Sequence, residues 1–103
     1  MKVDLFPDDV YVFTPKGDVK TFPRGATPVD FAYAIHTEIG NKAIGAKVNH
    51  GLVPLSHTLT SGDQVEIITS DNAKPNQNWL DYATTARARS KIRSSLREEK
   101  KEV

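Results

Sequence analysis

The side chains of this 103-residue chain best placed to bind metal or carry protons are three histidines, His36, His50 and His57. A metal site needs several ligands that converge, and none of the three has a ligand-type residue at i+3 or i+4; Gly40 stands four positions after His36. No metal site is therefore expected. Ser56, His57 and Asp63 supply the residue types of a hydrolytic triad, but no G-x-S-x-G turn is present to expose the serine. The glycines form neither a G-x-x-x-x-G-K nor a G-x-G-x-x-G phosphate loop. The absence of cysteine removes a thiolate nucleophile, a Cys-ligated zinc and a disulfide framework. No catalytic residue and no cofactor is expected in this chain.

What remains is binding chemistry. His36 carries a planar, amphipathic ring close to Tyr33, and the pair can stack on and hydrogen-bond to a ligand. The plainer reading makes His36 a half-exposed residue at the edge of a core, and the sequence pattern leaves both open. Arg89, Arg93 and Arg97 recur at i, i+4 and i+8. Such a row is a solvated helix face or a docking surface for anions, with Glu98, Glu99 and Glu102 partly neutralising its end.

Length and composition fit one small domain with an appended element: 38% of residues are hydrophobic and 26% charged. The formal charge of +1 hides an asymmetry. Residues 1–72 carry a net −3 and residues 73–103 a net +4, an acidic globule followed by a basic segment. No run is apolar enough to span a membrane, and MKVDLFPDDV is too polar for a secretory signal, which favours a cytoplasmic setting.

The elements that must position these residues are legible in order. Val10–Thr14 and Val19–Phe22 flank Pro15-Lys16-Gly17-Asp18 and read as a β-hairpin. Thr27-Pro28-Val29-Asp30 carries the marks of a helix start: a capping threonine, proline at the first position and an acid in the first turn. That helix is expected to run to about Ile39 and stop at Gly40, burying Phe31, Ile35 and Ile39 with Ala32. On this wheel His36 borders the apolar face and Tyr33 lies nearly opposite it. Ile44, Ala46 and Val48 alternate as a strand, Asn49-His50-Gly51 turns, Leu52-Val53 returns, and Val65–Thr69 is the last strand. A hairpin, one helix and returning strands make an α+β fold, a mixed sheet over a single helix in the β-grasp, or ubiquitin-like, plan. Ser70–Asn78 is polar, and from Trp79 the residues favour helix, split near Thr84-Thr85. The expected organisation is a domain over 9–70, a linker over 71–78 and a helical segment over 79–103. Ala88, Ile92 and Leu96 form a stripe too thin to hold a free helix, which must pack on something outside the chain or fray.

The strings VYVFTPKGDV, TPVDFAYAIH and TTARARSKIR resemble the TGS domain and following segment of the RelA/SpoT proteins, from about Asp4 to Glu98. That family makes and hydrolyses (p)ppGpp with catalytic domains this chain lacks, so the resemblance implies a regulatory piece of a GTP pyrophosphokinase or (p)ppGpp hydrolase. It also implies a partner, the 3′ CCA end of uncharged tRNA on the ribosome, contacted by the helix histidine matched here by His36. Some relatives have Tyr-His-Ile-His where this chain has Tyr33-Ala34-Ile35-His36, which fits the SpoT- or Rel-like branch. A terminal base stacked on His36 or Tyr33 is worth ~1–3 kcal/mol. An aminoacyl ester would occupy the space beside the terminal hydroxyls. Lys42 and Lys47 are candidates to neutralise nearby phosphates, and the −3 globule implies weak binding in isolation.

A second function class is a protein-interaction module. There the sheet or the Arg89, Arg93 and Arg97 row docks acidic acyl carrier protein, as the resemblance implies for SpoT-like members, or the parent's catalytic domains. A sulfur-carrier role fails, because that chemistry needs a C-terminal Gly-Gly and this chain ends in Glu102-Val103.

Overall fold

The computed structural model describes residues 9–101. Strand β1 (Asp9–Phe13) pairs antiparallel with β2 (Val19–Pro23), placing Val10 opposite Phe22 and Val12 opposite Lys20. Gly17, at φ 96°, takes the left-handed conformation that the connecting turn demands. A second sheet has the order β4-β3-β5, all antiparallel, from β3 (Ala43–Val48), β4 (Gly51–Val53) and β5 (Val65–Thr69). A parallel bridge between Phe13 and Gln64 stitches the hairpin to this sheet, completing the mixed arrangement of a β-grasp. Between β3 and β4 the left-handed residues are Asn49 (φ 53°) and His50 (φ 74°), while Gly51 already opens β4.

The expected single helix is two. Helix α1 (Pro28–Ile35) starts at the Thr27-Asp30 capping box, as its sequence requires. It ends at His36, whose extended backbone (φ −167°, ψ 142°) separates it from α2 (Thr37–Asn41). The break turns Ile35 out of the core to 38% exposure, correcting its expected burial. Gly40 does not stop a helix; it lies buried within α2, where a Cβ would sit 2.4–2.6 Å from the Tyr33 ring, so only glycine fits.

Helix α1 is buried on two sides. Phe31 joins Val10, Val12, Phe22, Ala46, Leu59 and Val65 beneath the sheets, with its ring 5.9 Å from that of Phe22. Val29, Ala32 and Tyr33 face the other way, into a core completed by Trp79, Ala83, Ala88 and Ile92. Trp79 belongs to α3 (Trp79–Tyr82), and Ala88 and Ile92 to α4 (Ala86–Lys101). The C-terminal segment thus packs within the chain along Trp79, Ala83, Ala88 and Ile92, with Leu96 beside them, instead of only on something outside it. Its stripe is thin because α1 supplies the other half of the interface. Complete burial of Ile92 alone contributes roughly 1.5–3 kcal/mol.

One carboxylate joins the two helix starts. Asp30, 1% exposed, accepts N–H bonds from Thr27 (3.1 Å), Thr84 (2.9 and 3.0 Å) and Thr85 (2.9 Å), and the Thr85 hydroxyl (3.0 Å). Thr85 Oγ1 in turn accepts the Ala88 N–H at 3.2 Å, capping α4. The Thr27 hydroxyl donates to the Tyr82 carbonyl and the Thr84 hydroxyl to the Gly25 carbonyl, each at 3.1 Å.

Candidate functional site

The break in the helix fixes the geometry of His36. Its backbone N–H donates to the Ala32 carbonyl at 3.2 Å and closes α1. Its ring Nδ1 accepts the Glu38 N–H at 3.0 Å and caps α2. A nitrogen that accepts carries no proton, so the neutral ring bears its hydrogen on Nε2. The exposed imidazole therefore offers a held donor and an open ring face, and the backbone bend that exposes it is stabilised by the ring itself.

His36 lines a cleft of about 310 Å³ with Tyr33, Ala34, Ile35 and Thr37 on one wall and Arg87 and Lys91 of α4 on the other. A second cleft of about 360 Å³ lies beyond Ile35, bounded by Pro15, Lys16, Asp18 and Lys20 of the hairpin. Ile35 is the shared wall, which is what its exposure does. The His36 cleft is small, polar and open, and can admit one planar group with an attached anion.

Tyr33 does not present a stacking face. It is 2% exposed, with its ring edge-on to Trp79 at 6.5 Å and covered by Gly40. Its hydroxyl donates to Asn41 Oδ1 at 2.8 Å, an oxygen that also accepts from Ser95 at 2.9 Å. Burial pushes the phenol well above its ordinary range, so it stays a neutral donor. Tyr33 does lie opposite the Phe31 face, as expected, but that side of α1 is a second apolar face, so the ring is buried there instead of exposed.

Lys42 and Lys47 are not among the residues that line the His36 cleft. Lys42 Nζ lies 3.8 Å from Asp71 Oδ1, and Lys47 is exposed on β3 opposite Leu52 and Glu66. In the arginine row, Arg89 is half-buried and donates from Nη1 to the Leu80 carbonyl at 3.4 Å, whereas Arg93 and Arg97 are exposed. The acids expected to neutralise the row's end lie outside the described side chains. Arg87 and Lys91 are the pair that the sequence reading missed. They flank the buried Ala88–Ile92 stripe on the side opposite Arg89 and Arg93.

Of Ser56, His57 and Asp63, the last has its carboxylate engaged by the Thr60 N–H and hydroxyl and by Asn49 Nδ2, at 2.8–3.0 Å. His57 is not among its partners. Among the described residues no helix is long and apolar enough to cross a membrane.

A β-grasp sheet, a helix broken at an exposed histidine and two appended helices packed on it define a small β-grasp domain with a C-terminal helical extension. The chain belongs to the TGS domain family, whose profile matches residues 10–69. Over 102 residues, 99% of the chain, it is 53% identical to a GTP pyrophosphokinase of Myxococcus xanthus. Over the same length it is 55% identical to a guanosine-3′,5′-bis(diphosphate) 3′-pyrophosphohydrolase of Vibrio cholerae. It is 53% identical to the bifunctional (p)ppGpp synthase/hydrolase SpoT of Escherichia coli. The chain spans 14% of the length of each of these relatives.

Proposed function

We propose that this chain is the regulatory TGS segment of a longer cytoplasmic (p)ppGpp synthetase/hydrolase, and that its His36 cleft receives the 3′ CCA end of uncharged tRNA on the ribosome. The observation that carries this reading is the imidazole itself. It is exposed at a helix break, with Nδ1 engaged by the Glu38 N–H, and it lines a cleft of about 310 Å³. A terminal adenine stacks on the ring, and Nε2–H donates to a base or ribose acceptor. An aminoacyl ester on the terminal ribose occupies the space beside the terminal hydroxyls, so discrimination is steric and needs no catalysis. Similarity over 99% of the chain to proteins named for (p)ppGpp synthesis and hydrolysis supports the parent activity.

The test is His36→Ala in the full-length parent, assayed for tRNA-dependent (p)ppGpp synthesis on stalled ribosomes. Stimulation is expected to fall while basal synthesis persists. Undiminished stimulation contradicts the reading.

A second reading, docking of acyl carrier protein or of the parent's catalytic domains, draws on the exposure of Arg93 and Arg97 along one line of α4. In that reading charge reversal at Arg93 and Arg97 abolishes capture of acyl carrier protein or of the catalytic domains, and His36→Ala does not.

A further inference from the structure

The His36 cleft has one wall outside the region matched by the TGS family. Residues 10–69 supply Tyr33, Ala34, Ile35, His36 and Thr37, but the cations facing them, Arg87 and Lys91, come from α4. We propose that Arg87 and Lys91 form an anion subsite that holds a backbone phosphodiester of the single strand whose terminal nucleotide sits at His36. The binding site is then shared between the β-grasp and α4, and neither part is sufficient alone. This inference rests on the nucleic-acid reading of the cleft.

Three observations carry it. The two cations are one helical turn apart, so they project from the same side of α4 into one cleft. No carboxylate lines that cleft, whereas Asp18 stands beside Lys16 and Lys20 in the neighbouring one. Among the described residues, neither Arg87 nor Lys91 is held in an ion pair.

Preorganisation distinguishes this pair from ordinary surface charge. Ala88 and Ile92, adjacent in sequence to Arg87 and Lys91, are fully buried against α1. The start of α4 is fixed by Asp30, a residue of α1 itself. The helix that presents the cations is thus tied to the helix whose end presents the imidazole. Binding needs little reordering of the backbone between them, which lowers its entropic cost. A planar base at His36 and an anion at Arg87 match the end of a single strand, in which a phosphate precedes the terminal nucleoside.

The experiment is an NMR titration of the isotope-labelled 103-residue chain with a short single-stranded RNA ending in CCA and a free 3′-hydroxyl, repeated at several salt concentrations. The variants are R87A/K91A, H36A and, as a control for net charge, R93A/R97A on the exposed line of the same helix. R87A/K91A is expected to weaken binding roughly tenfold and to flatten the salt dependence by about 0.7 of a log–log slope unit, the share of one single-strand phosphate. R93A/R97A is expected to have a clearly smaller effect, and H36A to weaken binding without changing the slope. If H36A weakens binding but R87A/K91A behaves like R93A/R97A, the shared subsite is overturned and the His36 reading stands. If H36A has no effect, or if millimolar RNA leaves the wild-type spectrum unchanged, the His36 reading and the subsite are overturned together. Retained dispersion of the amide spectrum checks that each variant is folded.

Discussion

Thr84 donates its backbone N–H to both carboxylate oxygens of Asp30, at 2.9 and 3.0 Å, across 54 residues of sequence. The same carboxylate closes the first turn of its own helix through the Thr27 N–H. The starts of α1 and α4 therefore share one buried negative charge, and each lends it the positive end of a helix dipole. This places the basic helix beside His36 and makes the β-grasp and the C-terminal segment one packed unit.

Asp30→Ala is expected to destabilise the chain by about 3 kcal/mol or more, because buried N–H groups at two helix starts lose a charged acceptor together. Asp30→Asn keeps the shape and one acceptor oxygen and is expected to cost less. Urea denaturation of the two variants against the wild type checks the order. Equal stability of Asp30→Ala and wild type would remove the proposed role of the clasp.

Tyr33 makes stability depend on alkaline pH. Its folded phenol is raised above the ordinary tyrosine value near ~10 by desolvation. The unfolded chain therefore gives up this proton first as pH rises. The folded state keeps its full stability below pH ~10 and loses at most about 1.4 kcal/mol per pH unit above it. Tyr33→Phe is expected to start less stable, having lost the bond to Asn41, and to show a shallower decline. Thermal melts of both proteins from neutral pH to above the tyrosine range check this, and parallel declines would contradict it.

Gly40→Ala drives a methyl group into the Tyr33 ring, with no space at 2.4–2.6 Å. The expected cost is about 1–3 kcal/mol, as for other overpacked sites. In a Tyr33→Ala background the clash is absent, and the same substitution is expected to be nearly neutral. A double-mutant cycle reads that coupling directly, and additive losses would show that the ring contact is not the cause.

Much of the sheet is readable from the chain. Val65–Thr69 reads as a strand and is one, and Thr27-Pro28 marks the cap and first residue of α1. The break at His36 is not readable in the same way. No glycine or proline stands at that position, and Phe31, Ile35 and Ile39 continue a helical period through it. What decides is a side-chain cap from His36 to the next turn, a local bond that periodicity does not register.

The burial of Tyr33 left a signal that one-face reasoning overlooked. Val29, Ala32 and Tyr33 form a second apolar stripe at i, i+3 and i+4, while Ala88, Ile92 and Leu96 form another that is too thin to stand alone. Two incomplete stripes in one short chain are each other's partners. Once they are paired, Arg87 and Lys91 turn toward His36, which reading the arginine row alone did not reveal.

The function proposed for the His36 cleft is to read the chemical state of a tRNA 3′ terminus. The direct measurement follows the His36 imidazole resonances, assigned with the His36→Ala variant, while an acceptor-stem RNA ending in CCA is added with its terminus free or aminoacylated. The free terminus is expected to move the ring signals at concentrations where the aminoacylated one leaves them in place. Equal displacement by both forms, or none by either, would contradict the proposed function.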